Sequence, residues 1–522
     1  MATAVRPMSA DVGAASQSVD SPGENLIAIQ PFILELPVKG ALPKGKKGGK
    51  KGDQPPAGAV ALPAKLDKFQ EKPAVHSYVG LLCKARETAL SMLESTSATA
   101  AEVNNAVADY MSLLLGLTPS VAAVVAVPEP GSQAAEAGPA VAATEEETVS
   151  QLHQGQSSQP PASSQKTVPR APSAAQTALN NAIEFRWADL FPQPEPSSSA
   201  EPPAGGALFE SAMLLLSHAL WKAHAAALIA NSRQQPGSPE RGLSSERTAE
   251  AYRLLREAAG LASALQADPF LAAATRSGAG DLRPSLLAAL EALWLADAES
   301  LTVGRALSKG TSHPLVAAVA ADCCELYRKA EKCPPAAAWG STIVAYARFK
   351  AGSMSAYAHI SNAQHLLDQE LAADAMRSAR EAKDLLATAA TNVEAFDRQL
   401  PKLQRDGISH GPFLTHLRQT VERAADRIQR INSMVHYKAE APQLPPLPEP
   451  SRLVQPLPLE LPPVSPEAIA MEEAFKEGVA TSAADEKQQQ AAAAGGGAAA
   501  AGEQEEDEKL QKEKGGCCCV IS

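Results

Sequence analysis

The last four residues of the chain, 519–522, carry its clearest chemical signal. They read Cys-Val-Ile-Ser, a thiol followed by two aliphatic residues and a small polar residue. A protein prenyltransferase requires this spacing between the thiol and the terminal carboxylate, and serine in the last position favours a farnesyl group. Gly515 and Gly516 lie just upstream and give the tail the freedom to enter such an enzyme. The pattern predicts farnesylation of Cys519, with a chance cluster of cysteines as the alternative.

Two further cysteines, Cys517 and Cys518, immediately precede this motif. Palmitate is commonly added at such positions. A single lipid chain binds a membrane only marginally, so stable anchoring needs a second signal. The acidic run at 503–508 is the opposite of the polybasic segment that supports many prenylated tails. We therefore predict a lipidation tail at 517–522, in which palmitoylation of Cys517 or Cys518, or a membrane-resident partner, supplies the second signal.

The remaining reactive residues do not form a recognised catalytic or metal site. The sequence at 40–47 is similar to a phosphate-binding loop motif. However, Lys47 occupies the position at which a Ser or Thr must bind Mg²⁺. His218 and His224 are better explained as core or groove histidines than as ligands. No serine-hydrolase, zinc-protease or kinase signature is present. Four cysteines outside the tail include no C-x-x-C pair: Cys83, Cys323, Cys324 and Cys333. We expect no enzyme activity, metal, cofactor or small-molecule substrate.

Composition and charge narrow the class of protein further. The chain has 522 residues with 41 Pro and 33 Gly, which indicates one large domain or two small ones joined by linkers. A net charge of -11 disfavours non-specific nucleic-acid binding. There is no signal peptide and no uncharged apolar run of about 18–20 residues. We expect a cytoplasmic protein that reaches membranes from their cytosolic face through its lipidated C-terminus.

Apolar residues at helical spacing predict a mostly all-α fold. Pro284 and Pro314 suit the first turns of their helices, and Ser244 suits a helix start. The segment 336–367 reads as one long helix or a kinked pair. Alternating apolar residues at 26–38 predict a strand that could belong to a small N-terminal β-sheet. The helices are predicted at two sites within 74–117 and then at 207–231, 244 onward, 284–308, 314–330, 336–367, 371–396 and 413–433.

Long segments in which apolar residues show neither helical nor strand spacing separate these predicted helices. Residues 1–25 and the insertion 118–178 are predicted to be disordered. The Lys/Gly loop at 43–58 is either a solvated loop or a contact for anionic lipid. The Pro-rich segment 442–466 must be extended, as a linker or as a strap on the helical body. Residues 467–516 are predicted to be a flexible low-complexity tail that begins with a short helix at 467–478.

Several of the ordered segments contain recognisable motifs. Residues 251–260 and the Phe-Arg-Trp at 185–187 are two of them. The segment 435–458 reads Val-His-Tyr, then Glu-Ala-Pro-Gln, then Leu-Val-Gln-Pro-Leu-Pro. Residues 290–306 match an A-x-A-x-E-x-x-x-x-R-A helix at four positions, with Ser300 in place of the usual Glu: Ala296, Ala298, Arg305 and Ala306. Together these segments resemble the BRO domain family, in its Alix/Brox branch, from about 60 to 466.

The resemblance implies an elongated, curved helical solenoid with a tetratricopeptide-like core, in a BRO domain over 26–466. Brox-type members also end in a C-a-a-X box, as this chain does. The family implies a non-catalytic adaptor that binds the C-terminal amphipathic helix of an ESCRT-III subunit in a groove. It would act in endosomal sorting or membrane remodelling, at the endosome or the nuclear envelope.

The same resemblance places a partner-binding patch at Leu315, Val319 and Met434. Thr302 falls where other members have an aromatic residue, and His436 where some have a tyrosine. Leu315 and Val319 also share a helical stripe with Cys323, so both could instead be core residues. The alternative function is a prenylated helical scaffold for another partner, such as a cytoskeletal or cargo protein.

Overall fold

Helices account for most of the ordered chain. The computed structural model describes Leu34 and residues 73–118 apart from 96, then 180, 183, 185–187, 190, 204–231, 244–268, 271–275, 280–334, 337–400 and 410–474. The helices in this part of the chain are α1 (Pro73–Glu94), α2 (Ala100–Gly116), α3 (Ala207–Asn231), α4 (Ser245–Ala267), α5 (Ala272–Thr275), α6 (Pro284–Ser308), α7 (His313–Ala330), α8 (Ala337–Asp368), α9 (Ala372–Gln399), α10 (Gly411–Ile431) and α11 (466–474).

The helix starts follow local sequence signals. Thr99 caps α2 in a reciprocal box with Glu102, which satisfies two backbone donors at once. Ser244 accepts the Arg247 backbone N–H and caps α4. Proline occupies the first turns of α6, α7 and α10, where its missing N–H costs nothing. The predicted helices are therefore confirmed, and 336–367 forms a single helix rather than a kinked pair.

Each long helix packs mainly against its neighbours in sequence, which is the arrangement of a helical solenoid. The pairs α6–α7 and α7–α8 run antiparallel. Tyr327 near the end of α7 meets Asp297, about midway along α6, and Tyr346, in the first third of α8. Helix α8 packs against α10 as well as against its sequence neighbours α7 and α9. Because the connections between these helices are short, the end of one helix and the start of the next lie at the same edge of the solenoid.

The described strands form a two-stranded antiparallel sheet that the sequence did not predict. Strand β1 (Phe185–Arg186) pairs with β2 (Ala204–Gly205), with Phe185 opposite Gly205. The strand predicted at 26–38 lies outside the described residues except for Leu34, which is buried. Leu34 forms a backbone hydrogen bond with the Tyr346 hydroxyl of α8.

The Pro-rich segment is a strap on the helical body and not a free linker. It begins after Tyr437, whose left-handed backbone (φ 50°) turns the chain away from α10. Val454 within it is fully buried. The strap crosses the helices in reverse order through the backbone and side-chain bonds Ala441–Ala373, Pro446–Asn362, Ser451–Ala318, Leu457–Arg256 and Ser465–Ser112. It therefore ties α9 at one end of the solenoid to α2 at the other.

The ordered body continues past the predicted domain end at 466. Helix α11 buries Ala468 and Met471, and Ala468 lies directly against Gly116 of α2. The first part of the predicted flexible tail is thus an ordered helix, in line with the short helix expected there. The segments predicted to be disordered at 1–25 and at 118–178 after its first residue, the Lys/Gly loop at 43–58 and the tail from 475 lie outside the described residues.

Candidate partner-docking surface

The three residues predicted to bind a partner occupy different environments. Leu315 in the first turn of α7 is 42% exposed, and Met434 after α10 is 68% exposed. Val319 is only 1% exposed and belongs to the hydrophobic core. Its assignment to the contact surface is therefore wrong for this conformation. The alternative reading, that Val319 is a core residue, is the one that the structure supports.

The burial of Val319 follows from the position of α7. This helix packs between α6 and α8, and the strap covers its outer face. The Ser451 backbone N–H donates to the Ala318 carbonyl at 3.2 Å, and Arg452 binds Asp322 one turn further along. The first turn of α7, which carries Leu315, is exposed before these contacts, and Glu325 is exposed after them.

The strap adds an exposed apolar residue that sequence reasoning did not assign to the surface. Leu453 is 48% exposed, and its backbone N–H donates to the Glu299 carboxylate of α6 at 3.3 Å. Two residues earlier, Ser451 is bonded to α7 one turn after Leu315. Leu315 and Leu453 thus flank the same stretch of α7. We call this pair the docking surface.

A second group of exposed apolar residues lies where α10 ends. Met434, Val435 and Tyr437 are exposed there, and Leu371 is exposed at the start of α9. The Asn432 side chain holds this end together, because it exchanges two hydrogen bonds with the Lys438 backbone and contacts α9. Met434 therefore belongs to the α9–α10 end of the solenoid, and no described contact joins it to Leu453.

Polar groups between these two regions place them on one edge of the molecule. His313 at the start of α7 faces Asp368 and His365 at the end of α8 and Arg427 near the end of α10. Burial lowers the pKa of His313, and the charge of Asp368 partly opposes that effect. His313 is therefore mainly neutral at pH 7. The starts of α7 and α9 and the ends of α8 and α10 meet here, as their antiparallel order requires.

Beneath Leu453 lies a cluster of charged groups. Arg452 of the strap donates twice to Asp322 of α7, at 2.9 and 3.1 Å. Glu299 is fully buried beside them, and its Oε2 atom accepts no hydrogen bond in the described structure. Desolvation and the neighbouring Asp322 raise the pKa of Glu299 to about 8. This cluster joins α6, α7 and the strap.

The other buried polar groups hold helices together. Asp297 accepts the hydroxyls of Tyr327 and Tyr346 at 2.6 and 2.7 Å. His218 shares the Asn104 side-chain oxygen with a buried lysine, so this histidine is a core residue as expected. Within the part of the chain that is described, no group of three His, Cys, Asp or Glu could hold a metal ion.

Helix α3 is a long apolar helix. By length and composition it is apolar enough to cross a membrane, although 78% of its most apolar segment is buried inside the body. Glu210 and Lys222 lie within the helix, so it is not the uncharged apolar run for which the sequence was searched. Both charges are buried in ion pairs with neighbouring helices. These features are those of a core helix.

Comparison with known proteins identifies the family. The BRO1-like domain model matches residues 170–488. A mouse BRO1 domain-containing protein BROX is 28% identical over 322 residues, covering 58% of this chain and 73% of its own length. The human BROX is 26% identical over 318 residues, with the same shares covered.

Three solved structures share the fold. One, described as the basis for endosomal targeting by the Bro1 domain, has a TM-score of 0.54 at 12% identity and covers 86% of this chain and 100% of its own. A complex of the ALIX BRO1 domain with CHMP4C has a TM-score of 0.50 at 14% identity, over 83% of this chain and 96% of its own. ALIX bound to a viral late-domain peptide has a TM-score of 0.53 at 14% identity, over 77% of this chain and 48% of its own. With the family model matching well over half of its residues, the chain belongs to the BRO1-like domain family, as a relative of the BROX proteins.

Proposed function

We propose that this BRO1-domain protein is a non-catalytic adaptor that binds the C-terminal amphipathic helix of an ESCRT-III subunit. The observation that carries the proposal is the docking surface, where Leu315 and Leu453 are exposed beside the stretch of α7 to which the strap is bonded. The ALIX BRO1 domain, which shares the fold, has been solved in complex with CHMP4C. A shared fold and an exposed apolar pair at one site support a shared mode of recognition.

An amphipathic helix suits a surface of this kind. Apolar residues four apart in such a helix lie on one face about 6 Å apart, and they can contact two separate apolar side chains. Burial of Leu315 and Leu453 would contribute about 1.5–3 kcal/mol each at most. That contribution gives a modest affinity, which suits an adaptor that must release its partner.

The second part of the proposal concerns location. The C-a-a-X tail would be farnesylated on Cys519 and would hold the protein on the cytosolic face of endosomal or nuclear-envelope membranes, with Cys517 and Cys518 as palmitoylation sites. Tethering confines both partners to one surface and raises their effective concentration, so that a modest affinity suffices. The adaptor would then act in endosomal sorting or membrane remodelling.

A binding titration tests the first part. The full chain is titrated with the C-terminal helix of each ESCRT-III subunit, beside the variant Leu315→Asp. A charge at a partly buried apolar contact should weaken binding at least tenfold. Leu228→Asp on α3 is the matched control, because Leu228 is similarly exposed (38%) but far along the chain from α7. Circular dichroism verifies that both variants keep their helices.

The alternative function, a helical scaffold for another partner, predicts a different outcome of this titration. If no ESCRT-III helix binds, or if Leu228→Asp weakens binding as much as Leu315→Asp, the docking surface does not serve this partner. The protein would then be a helical scaffold for another cytoskeletal or cargo protein, with the same fold.

A further inference from the structure

The strap is joined to α6 and α7 by two carboxylates and one guanidinium. Arg452 forms a two-bond pair with Asp322, while Leu453 donates its N–H to Oε1 of Glu299. Glu299 is fully buried and Asp322 nearly so. One positive charge therefore faces two buried carboxyl groups, and both cannot be ionised there without a large cost.

The Oε2 oxygen of Glu299, which has no hydrogen-bond donor, indicates which of the two carboxyl groups carries a proton. Oε2 of Glu299 has no donor to accept from among the described atoms, yet Glu299 lies within hydrogen-bonding reach of Asp322. A carboxylate oxygen without a donor is costly in this setting, whereas a protonated one becomes a donor itself. With the proton on Glu299, its O–H donates to the Asp322 carboxylate, and every polar group of the cluster then has a partner.

The charged groups on the surrounding helices do not remove the need for a proton on Glu299. On α7, Cys323 is buried beside Glu299, and Glu325 adds a further negative charge near Arg452. The buried Lys350 of α8 acts on Asp297 and Cys323, on the far side of α7 from the strap. Arg452 is thus the one cation of the described structure that acts on Glu299 directly.

We propose that one proton on Glu299, donated in a hydrogen bond to Asp322, latches strap residues 451–454 onto α6 and α7, and that its loss releases this part of the strap. When the strap lifts, Glu299 meets water and regains an ordinary carboxyl pKa of about 4.3. The closed strap therefore holds the proton more tightly than the open one. By linkage, the opening equilibrium constant rises by up to about tenfold for each pH unit between these two pKa values.

The latch also bears on partner binding, a consequence that rests on the proposed function. Leu453 is one half of the docking surface, and its backbone is bonded to Glu299 itself. Release of the strap would move Leu453 away from Leu315. Affinity for an amphipathic helix would then fall as the pH rises, and the chain would bind best at neutral or mildly acidic pH.

Hydrogen exchange of the full chain without any partner tests the latch. Exchange of a peptide covering Leu453 is divided by that of a peptide covering Leu457, whose N–H donates to the Arg256 carbonyl further along the same strap. This ratio cancels the dependence of chemical exchange on pH. Between pH 6 and pH 8 we expect the ratio to rise at least tenfold in the wild type and to stay constant in Glu299→Gln.

Two further variants complete the test. Glu460→Gln makes the same chemical change at an exposed strap position and should keep the wild-type rise. Asp322→Asn, used if Glu299→Gln does not fold, removes the like charge but leaves the buried Glu299, so the closed strap should hold the proton less tightly and the rise between pH 6 and pH 8 should be smaller than in the wild type. A flat wild-type ratio, or a rise that persists in Glu299→Gln, overturns the latch. Since no partner is present, failure of the ESCRT-III proposal would leave this result unchanged.

Discussion

A single buried carboxylate holds the first part of the body together. Glu210 of α3 accepts the Arg86 side chain of α1 at 2.8 Å, the Tyr110 hydroxyl of α2 at 2.8 Å and the Trp187 indole N–H. Arg86 is itself buried, and its guanidinium also lies over the Trp187 ring. Three separate segments of the chain therefore depend on the charge of one side chain.

Replacing that carboxylate should be strongly destabilising. Glu210→Gln removes the buried carboxylate that Arg86, Tyr110 and Trp187 share, and we expect a loss of about 3–5 kcal/mol in the free energy of unfolding. Glu331→Gln is the control, because Glu331 pairs with Arg348 at the surface and should cost at most about 1 kcal/mol. Denaturant unfolding of both variants measures the difference. Equal costs would show that the buried pair contributes no more than a surface one.

A glycine of α4 shows how closely the strap approaches the helices. A Cβ at Gly260 would overlap the Leu457 carbonyl of the strap, whereas one at Gly352 of α8 would meet Ala389 at an ordinary 3.6 Å. Gly260→Ala should therefore displace the strap and lower the melting temperature, although alanine favours the helix by about 1 kcal/mol. Gly352→Ala should have a neutral or higher melting temperature. Thermal unfolding of both compares them, and equal behaviour would contradict this close approach.

At the scale of elements, α6, α7 and α8 meet at the carboxyl group of Asp297, whose pKa is raised above its ordinary value. Burial raises the pKa of Asp297 to about 6, although Lys350 and the two tyrosine hydroxyls oppose the shift. The folded state therefore binds this proton more tightly than the unfolded state, whose Asp has a pKa of about 3.9. Stabilisation by the proton is complete below that value and is lost as the pH rises through about 6.

Asp297→Asn should remove this pH dependence. The free energy of unfolding of the wild type, minus that of the variant, should fall by about 3 kcal/mol between pH 3.5 and pH 7, since one pKa unit corresponds to about 1.4 kcal/mol. Subtraction of the variant cancels the titration of other groups. Urea unfolding across this pH range measures the difference, and a difference that stays constant or rises with pH would contradict the assignment.

The elements themselves were largely predictable, whereas their contacts were not. Apolar spacing and first-turn prolines located the helices because both signals are local. The sequence alone could not decide whether the Pro-rich segment is a linker or a strap. The bonds that hold it join residues more than a hundred positions apart, such as Arg452 and Asp322. For the same reason Val319 could not be separated from Leu315. Both lie on one stripe of α7, and only the packing of the neighbouring elements against α7 decides which is exposed.

At the scale of the whole molecule, the strap makes the solenoid one unit. It leaves α10, crosses the intervening helices and ends in α11 against α2, so both ends of the body are joined. In the proposed function, this body presents one docking surface, and the tail beyond α11 supplies the attachment to a membrane. The two roles are carried by separate parts of the chain and can be tested separately.

The tail proposal predicts that Cys519→Ser transfers the protein from membrane to soluble fractions, because a serine hydroxyl cannot form the thioether. Replacing Cys517 and Cys518 by serine should leave the farnesyl group in place but weaken retention, since one lipid chain alone binds only marginally. Cys83→Ser is the control and should fractionate as the wild type does. Membrane fractionation in cells measures all three, together with the helix titration, which Cys519→Ser should leave unchanged. Full retention of Cys519→Ser on membranes would contradict prenylation as the attachment, and the surface of the helical body would have to supply it.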